Sequence, residues 1–209
     1  MWIKICGIKD TFSALHVLAE GGSAIGLIFV PNTKRYINIE TARKILSHMG
    51  KNSLLKIGVF QNQSKEEVKK VLEEVPINGL QFHGEESPEY LKEFSSLFLI
   101  KAFSIKDDTN LDQLKREIEK YSFCHILLDR TKTEPKISWE KFLNIAYTIS
   151  KEYKVIIAGG INEENIVEVL EIHPWGIDLS SGVENENFEK DLNKISNLLR
   201  KVKYYESTR

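Results

Sequence analysis

Only two of the 209 residues are cysteine, Cys6 and Cys124. Two are too few for a disulfide framework and fit a cytoplasmic chain with free thiols. No stretch approaches the roughly 20 apolar residues a membrane helix needs. The N-terminal MWIKICGIKD is apolar for a few residues and then charged. It lacks the longer apolar core of a secretion signal, so a cytoplasmic location without membrane contact is expected. An excess of one charge is missing as well. With 29 Lys and Arg against 30 Asp and Glu the net charge is −1, so no global field draws in nucleic acid. An anionic small molecule would have to be gripped locally, by backbone amides or single basic side chains.

Low-complexity and linker-like stretches are also lacking. Short β-rich apolar runs alternate with amphipathic segments along the whole sequence. The strand candidates are IKICGI, AIGLIF, LKIGVF, GLQFHG, LIKAFSI, HILLD, KVIIAGG and GIDLSSG, spaced about 20–30 residues apart. Between them, KEEVKKVLEEV places Val68, Val71, Leu72 and Val75 on one helical stripe. Ser64 with Glu67 fits a capping box, Ser87 with Pro88 fits a helix start, and Gly22 and Gly50 lie where helices should stop. Parallel strands need helical crossovers and are covered on both faces, which explains continuous runs such as KVIIAG. Eight such units predict an α/β fold, a (β/α)₈ TIM barrel with residues 1–209 as one domain; an open doubly wound sheet is the competitor. The first strand–helix turn has no GxGxxG, which weakens a dinucleotide-binding reading.

A parallel barrel works at the C-terminal ends of its strands, and polar residues collect there. Cys6 ends the first strand candidate, Gln81 and His83 the fourth, and Asp129 the sixth. Lys101 lies in the fifth, and Arg35 follows the second. Gly159 and Gly160 close the seventh; Asp178, Ser180, Ser181 and Gly182 close the eighth. Two glycine-containing turns on the last two strands suit a phosphate, because glycine lets backbone N–H groups approach an anion and a short helix start behind them adds positive charge. Taken singly they also read as tight turns. Cys6 is either a small buried hydrophobe or, with a lowered pKa, a base at a strand end. Asp129 is either a cap or an acid whose proton is retained by partial burial. His83, Glu85 and Glu86 have no second His or Cys at ligand spacing, so no metal is expected.

The segments KICGIKD, AIGLIFVPNTKRYI, IGVFQN, LQFHGEE, IKAF, LLD, IIAGGINEENI and DLSSGVE follow one another, from Lys4 to about Asp191, as in the phosphoribosylanthranilate isomerases. The combination of KICG, QxHGxE, AGGxxxxN and DxSSGVE carries this resemblance. It implies an Amadori rearrangement of N-(5-phosphoribosyl)anthranilate in tryptophan biosynthesis, without metal or organic cofactor. It implies Asp129 as general acid on the ring oxygen and Cys6 as the base at C2. Arg35 would meet the anthranilate carboxylate, with Gln81, His83 and Asp178 as further substrate contacts. Gly159, Gly160, Ser180, Ser181 and Gly182 would hold the phosphate. The implied partner is a small phosphorylated substrate, and the chain is a monomer or a homodimer.

One segment departs from the family pattern. A GGTG-like stretch usually separates the strand-six aspartate from a Phe-x-Trp, but here the sequence reads DRTKTEPKISW. Trp139 is kept, while Arg130, Lys132 and Lys136 appear and are expected to supply anion contacts. A related aminoaldose isomerase and a non-catalytic phosphosugar-binding barrel stay open beside the main reading. The former, in histidine biosynthesis, normally has an aspartate where this chain has Cys6.

Overall fold

The computed structural model describes residues 1–50, 54–131 and 136–208. Among them strands and helices alternate: β1 (Trp2–Cys6), α1 (Thr11–Ala19), β2 (Ala24–Ile28), α2 (Ile39–Ser47), β3 (Leu55–Phe60), α3 (Lys65–Glu74), β4 (Gly79–Phe82) and α4 (Pro88–Lys92). They continue with β5 (Phe98–Ile105), α5 (Leu111–Glu119), β6 (His125–Arg130), α6 (Trp139–Ser150), β7 (Val155–Ala158), α7 (Ile166–Glu171), β8 (Gly176–Leu179) and α8 (Leu192–Ser207). A short 3₁₀ turn (Ser181–Val183) follows β8. The strands pair in chain order, all parallel, and β8 returns to β1, so the sheet closes into the expected barrel.

Helix starts follow local chemistry. Ser64 and Glu67 form the capping box of α3, Ser87 caps α4 ahead of Pro88, and Asp10 accepts from the Ser13 amide at the start of α1. The stripe on α3 faces inward, with Val68 and Val71 buried and Val75 buried just beyond. One expectation shifts by a residue. Gly21, not Gly22, takes the left-handed conformation after α1 (φ 77°), while Gly22 is confined by the Val17 side chain. Gly50 is left-handed after α2, at φ 63°.

Alternation along each strand sorts side chains into two cores. Ala24, Ile57, Ile100, Leu127 and Ile156 fill the barrel interior. The opposite faces pack under the helices, in a larger cluster that includes Leu80, Leu99, Phe142 and Leu198. The N-terminal end of the barrel is closed by stacked rings: Trp2 on Trp175 with centroids 5.3 Å apart, and His125 between Phe98 (4.3 Å) and Trp175 (4.5 Å). Burial there, followed by the charge of Lys154, pushes the His125 imidazole below its ordinary range. Among the described residues, no helix is long and apolar enough to cross a membrane.

Candidate active site

With the N-terminal end plugged, the concave surface lies at the other end of the strands. A cavity of about 310 Å³ opens there, within the usual size of small-molecule sites. Inward-facing residues at the strand ends form its wall: Cys6 from β1, Gln81 from β4, Asp129 from β6 and Asp178 from β8, with His83 just past β4. Arg35, Gly159, Gly160, Ser180 and Ser181 complete the set from the loops. Gly182 does not reach this cavity. It borders a neighbouring hollow with Asn162 and Lys194, and a Cβ built on it would fall 1.8 Å from the Ile161 carbonyl oxygen. Its place is a close crossing of two loops.

Lys101 also departs from its expected place. Phe98, Ile100 and Ala102 take the inward positions of β5, so Lys101 points toward the helices. There its ammonium lies 3.2 Å from Glu86 Oε2 and donates to the Gly84 carbonyl. Glu86 in turn accepts from the Gly84 amide (3.0 Å) and the Asn62 amide (2.7 Å). This network anchors the turn that carries His83. His83 Nε2 lies 3.1 Å from Asp129 Oδ2. The other oxygen, Oδ1, lies over Gly159, 2.7 Å from where a Cβ would stand. Gly159 needs its glycine for a second reason, a φ of 95°.

The β7 turn is shaped by Asn165. Its side chain accepts from the Asn162 amide (2.8 Å) and donates to the Gly160 carbonyl (3.0 Å). On the opposite wall Arg35 donates twice to Glu184, from Nε to Oε1 at 2.7 Å and from Nη2 to Oε2 at 2.6 Å. Lys190 donates to the same Oε1 at 2.6 Å. Burial works against the Glu184 charge, yet Arg35 and Lys190 outweigh it and hold the carboxyl below its ordinary range. Two cations against one carboxylate leave this cluster one positive charge in excess.

Charge also collects at the bottom of the cavity. Lys4 is wholly buried and donates to Asp178 Oδ2 at 2.5 Å. Burial pushes the Asp178 carboxyl up, and the Lys4 ammonium beside it pulls it back down. Burial opposes that ammonium, but Asp178 and Cys6 together hold it above its usual range. Burial also pushes the Cys6 thiol up, with Lys4 pulling it back down and Asp178 adding to the rise. Of the two sequence readings of Cys6, a strand-end base with a lowered thiol is not what burial favours: a buried sulfur loses the hydration that exposed strand-end thiols keep. Gln81 Oε1, Asp178 Oδ1 and Ser180 Oγ are buried with no hydrogen-bond partner among the described residues.

Of the basic residues after β6, Arg130 borders the cavity. Its guanidinium donates to the Ile137 carbonyl (3.1 Å from Nη2) and lies 5.4 Å from the Trp139 ring centre. Lys136 is exposed, and Lys132 lies outside the described residues.

Comparison with known proteins gives the constellation a lineage. The family model described as N-(5′-phosphoribosyl)anthranilate (PRA) isomerase matches residues 3–201. This chain belongs to the phosphoribosylanthranilate isomerase family. A phosphoribosylanthranilate isomerase from Rippkaea orientalis is 34% identical over 218 residues, covering 99% of this chain and 98% of the relative. The crystal structure of the isomerase from Thermotoga maritima superposes with a TM-score of 0.86 at 31% identity, covering 98% of this chain and 99% of that one. Another solved family structure holds reduced 1-(o-carboxyphenylamino)-1-deoxyribulose 5-phosphate; it has a TM-score of 0.83 at 29% identity and covers 98% and 99% of the two chains.

Three charged residues of this isomerase-family site escaped the sequence reading: Lys4, Glu184 and Lys190. Lys4 had a signal, because it sits two residues from Cys6 and so shares its face of the strand. Glu184 closes the DxSSGVE motif, but nothing in one dimension pairs it with Arg35. Lys190 lies in a polar stretch that reads as surface.

Proposed function

We propose that this barrel, with residues 1–209 as one domain, catalyses the Amadori rearrangement of N-(5-phosphoribosyl)anthranilate to 1-(2-carboxyphenylamino)-1-deoxyribulose 5-phosphate in tryptophan biosynthesis. The observation that carries this reading is the shared cavity: Cys6 and Asp129, from strands β1 and β6, face the same space, flanked by polar atoms of Gln81, Asp178 and Ser180 that have no partner among the described residues.

Asp129 protonates the furanose ring oxygen as the C1–O4 bond breaks, and the anilino nitrogen supplies the electrons of the iminium. The Cys6 thiolate takes the C2 proton, the C–H pair forms C1=C2, and the iminium pair returns to nitrogen. The enolamine then loses its O2 proton and gains one at C1, giving the ketone. His83 occupies Oδ2 of Asp129 and leaves Oδ1 to the sugar. Gly159, Gly160, Ser180 and Ser181 would receive the phosphate, with Gly182 holding their loops together. The excess positive charge around Arg35 suits the anthranilate carboxylate, with Gln81 and Asp178 left for the sugar hydroxyls. The Lys4–Asp178 pair sits below, where the base must carry charge in a buried place.

The test is fluorescence loss of phosphoribosylanthranilate. Cys6→Ala and Asp129→Ala are each expected to lower kcat by about 10²–10⁴-fold while folding normally. Near-normal turnover in either variant removes that residue from the mechanism.

A further inference from the structure

Cys6 poses a problem that the proposed chemistry leaves open: a buried thiol must become an anion. A thiolate moved out of water loses its hydration, and a nearby opposite charge or hydrogen-bond donor must replace that loss. The charged groups facing Cys6 come from several elements. Lys4 lies on the same strand, Asp178 on β8, Arg35 in the loop after β2, and Lys190 ahead of α8. Asp129 and His83 face Asp178 across the cavity. Strand β2, packed against β1, offers only Gly26 and Ile28 here.

Of the cations, Arg35 is committed to Glu184 through two hydrogen bonds, and Lys190 to Glu184 and to the Ser180 carbonyl. Lys4 differs. Its side chain is 0% exposed, and it is two residues from Cys6 on one inward face. A Cβ built on Gly26 would stand 2.7 Å from Cys6 Sγ and 3.0 Å from Lys4 Cε. The two side chains therefore flank a single point, and the missing side chain at Gly26 makes room for both. The far side of Lys4 is held by Asp178, whose other oxygen has no partner among the described residues.

We propose that Lys4 is a positioning residue for Cys6: its buried ammonium is the counter-charge of the Cys6 thiolate, and Asp178 fixes it in place. The inference rests on Cys6 being the base of the proposed reaction. Proton transfer from C2 to sulfur turns the ion pair Cys6⁻–Lys4⁺ into a neutral thiol beside a cation still matched by Asp178. Before transfer Cys6⁻, Lys4⁺ and Asp178⁻ together carry one negative charge, which faces the substrate iminium; after it the thiol is neutral and Lys4 is matched by Asp178. Asp178 then has two tasks, holding Lys4 through Oδ2 and offering Oδ1 to the substrate.

The experiment reads the ionisation of Cys6 directly, by mass-resolved iodoacetamide alkylation of the Cys6 peptide across a pH series, beside the pH profile of kcat/KM. Lys4→Met is expected to raise the pH of half-alkylation by about one unit or more, and the acid limb of kcat/KM moves with it. Asp178→Asn is expected to lower that pH, since it removes an opposing charge and keeps the ammonium. Should Lys4→Met fail to fold, Lys4→Met combined with Asp178→Asn removes both buried charges together; Cys6 should still titrate above the wild type, by less than in Lys4→Met. Cys6 titrating at or below its wild-type pH in the Lys4 variants overturns the inference. Full turnover by Cys6→Ala instead overturns the role of Cys6 and leaves the titration result standing as a separate fact.

Discussion

Glu184→Gln tests the charge cluster on the Arg35 wall. Glu184 is 3% exposed at its side chain and Lys190 1%, while Arg35 is 26% exposed. The substitution keeps the shape but removes the negative charge between two cations and turns an amide toward one of them. Breaking one partner out of a buried pair costs about 3–5 kcal/mol. The lower end applies here, because Arg35 retains solvent and Lys190, already pushed down by burial, can shed its proton. A loss of about 3 kcal/mol in a chain this long lowers Tm by about 6–12 °C.

The sign of the pH dependence follows from Glu184 lying below its ordinary 4.5 in the folded state. Its contribution is complete above that value and is lost as pH falls through the depressed folded value. Thermal unfolding of both proteins from about pH 7 down to about pH 3 should therefore show a gap that is widest at neutrality and closes in acid. A Tm within about 2 °C of wild type at neutral pH, or a gap that widens on acidification, would refute the reasoning.

Gly26→Ala places a methyl 2.7 Å from Cys6 Sγ and 3.0 Å from Lys4 Cε; a stability loss of about 1–3 kcal/mol is expected, and steady-state kinetics should show kcat falling more than KM rises. Gly182→Ala forces a Cβ to within 1.8 Å of the Ile161 carbonyl oxygen, so its denaturation midpoint should drop, by about 1–3 kcal/mol or more; an unchanged midpoint contradicts the close crossing. His125, held below its ordinary 6.5, contributes stability that is present above that pH and is lost as pH falls toward the folded value, because the unfolded chain binds the proton first. His125→Phe should flatten the dependence of Tm on pH just below about 6.5.

The barrel was legible because each unit carried its own signals: an apolar run, then a cap such as Ser64 or Ser87, then a stripe such as Val68 with Val71. The strand-end rule located Cys6, Asp129 and Asp178 for the same reason, since a run that stops on a polar residue marks where the backbone leaves the sheet. Directions were harder to read. Both faces of β5 are apolar, so the sequence around Lys101 does not say which face it takes, and the expected mouth residue turns out to brace the His83 turn through Glu86. Partners across the chain were out of reach, because Lys4 meets Asp178 across 174 positions and Arg35 meets Glu184 across 149. The raised Cys6 thiol follows from burial, with the unseen Asp178 adding to it and Lys4 working against it.

The pairing of β1 with β8 sets the order in which a newly made chain becomes competent. Lys4 lies on the first strand of the barrel, yet the carboxylate that matches it lies on the eighth and is synthesised later. Until Gly176–Leu179 docks beside Trp2–Ile5, a folding intermediate would have to bury Lys4 without its anion, at a cost of several kcal/mol. A chain truncated before Asp178 would therefore lack both a wall of the site and the charge that matches Lys4 on its first strand.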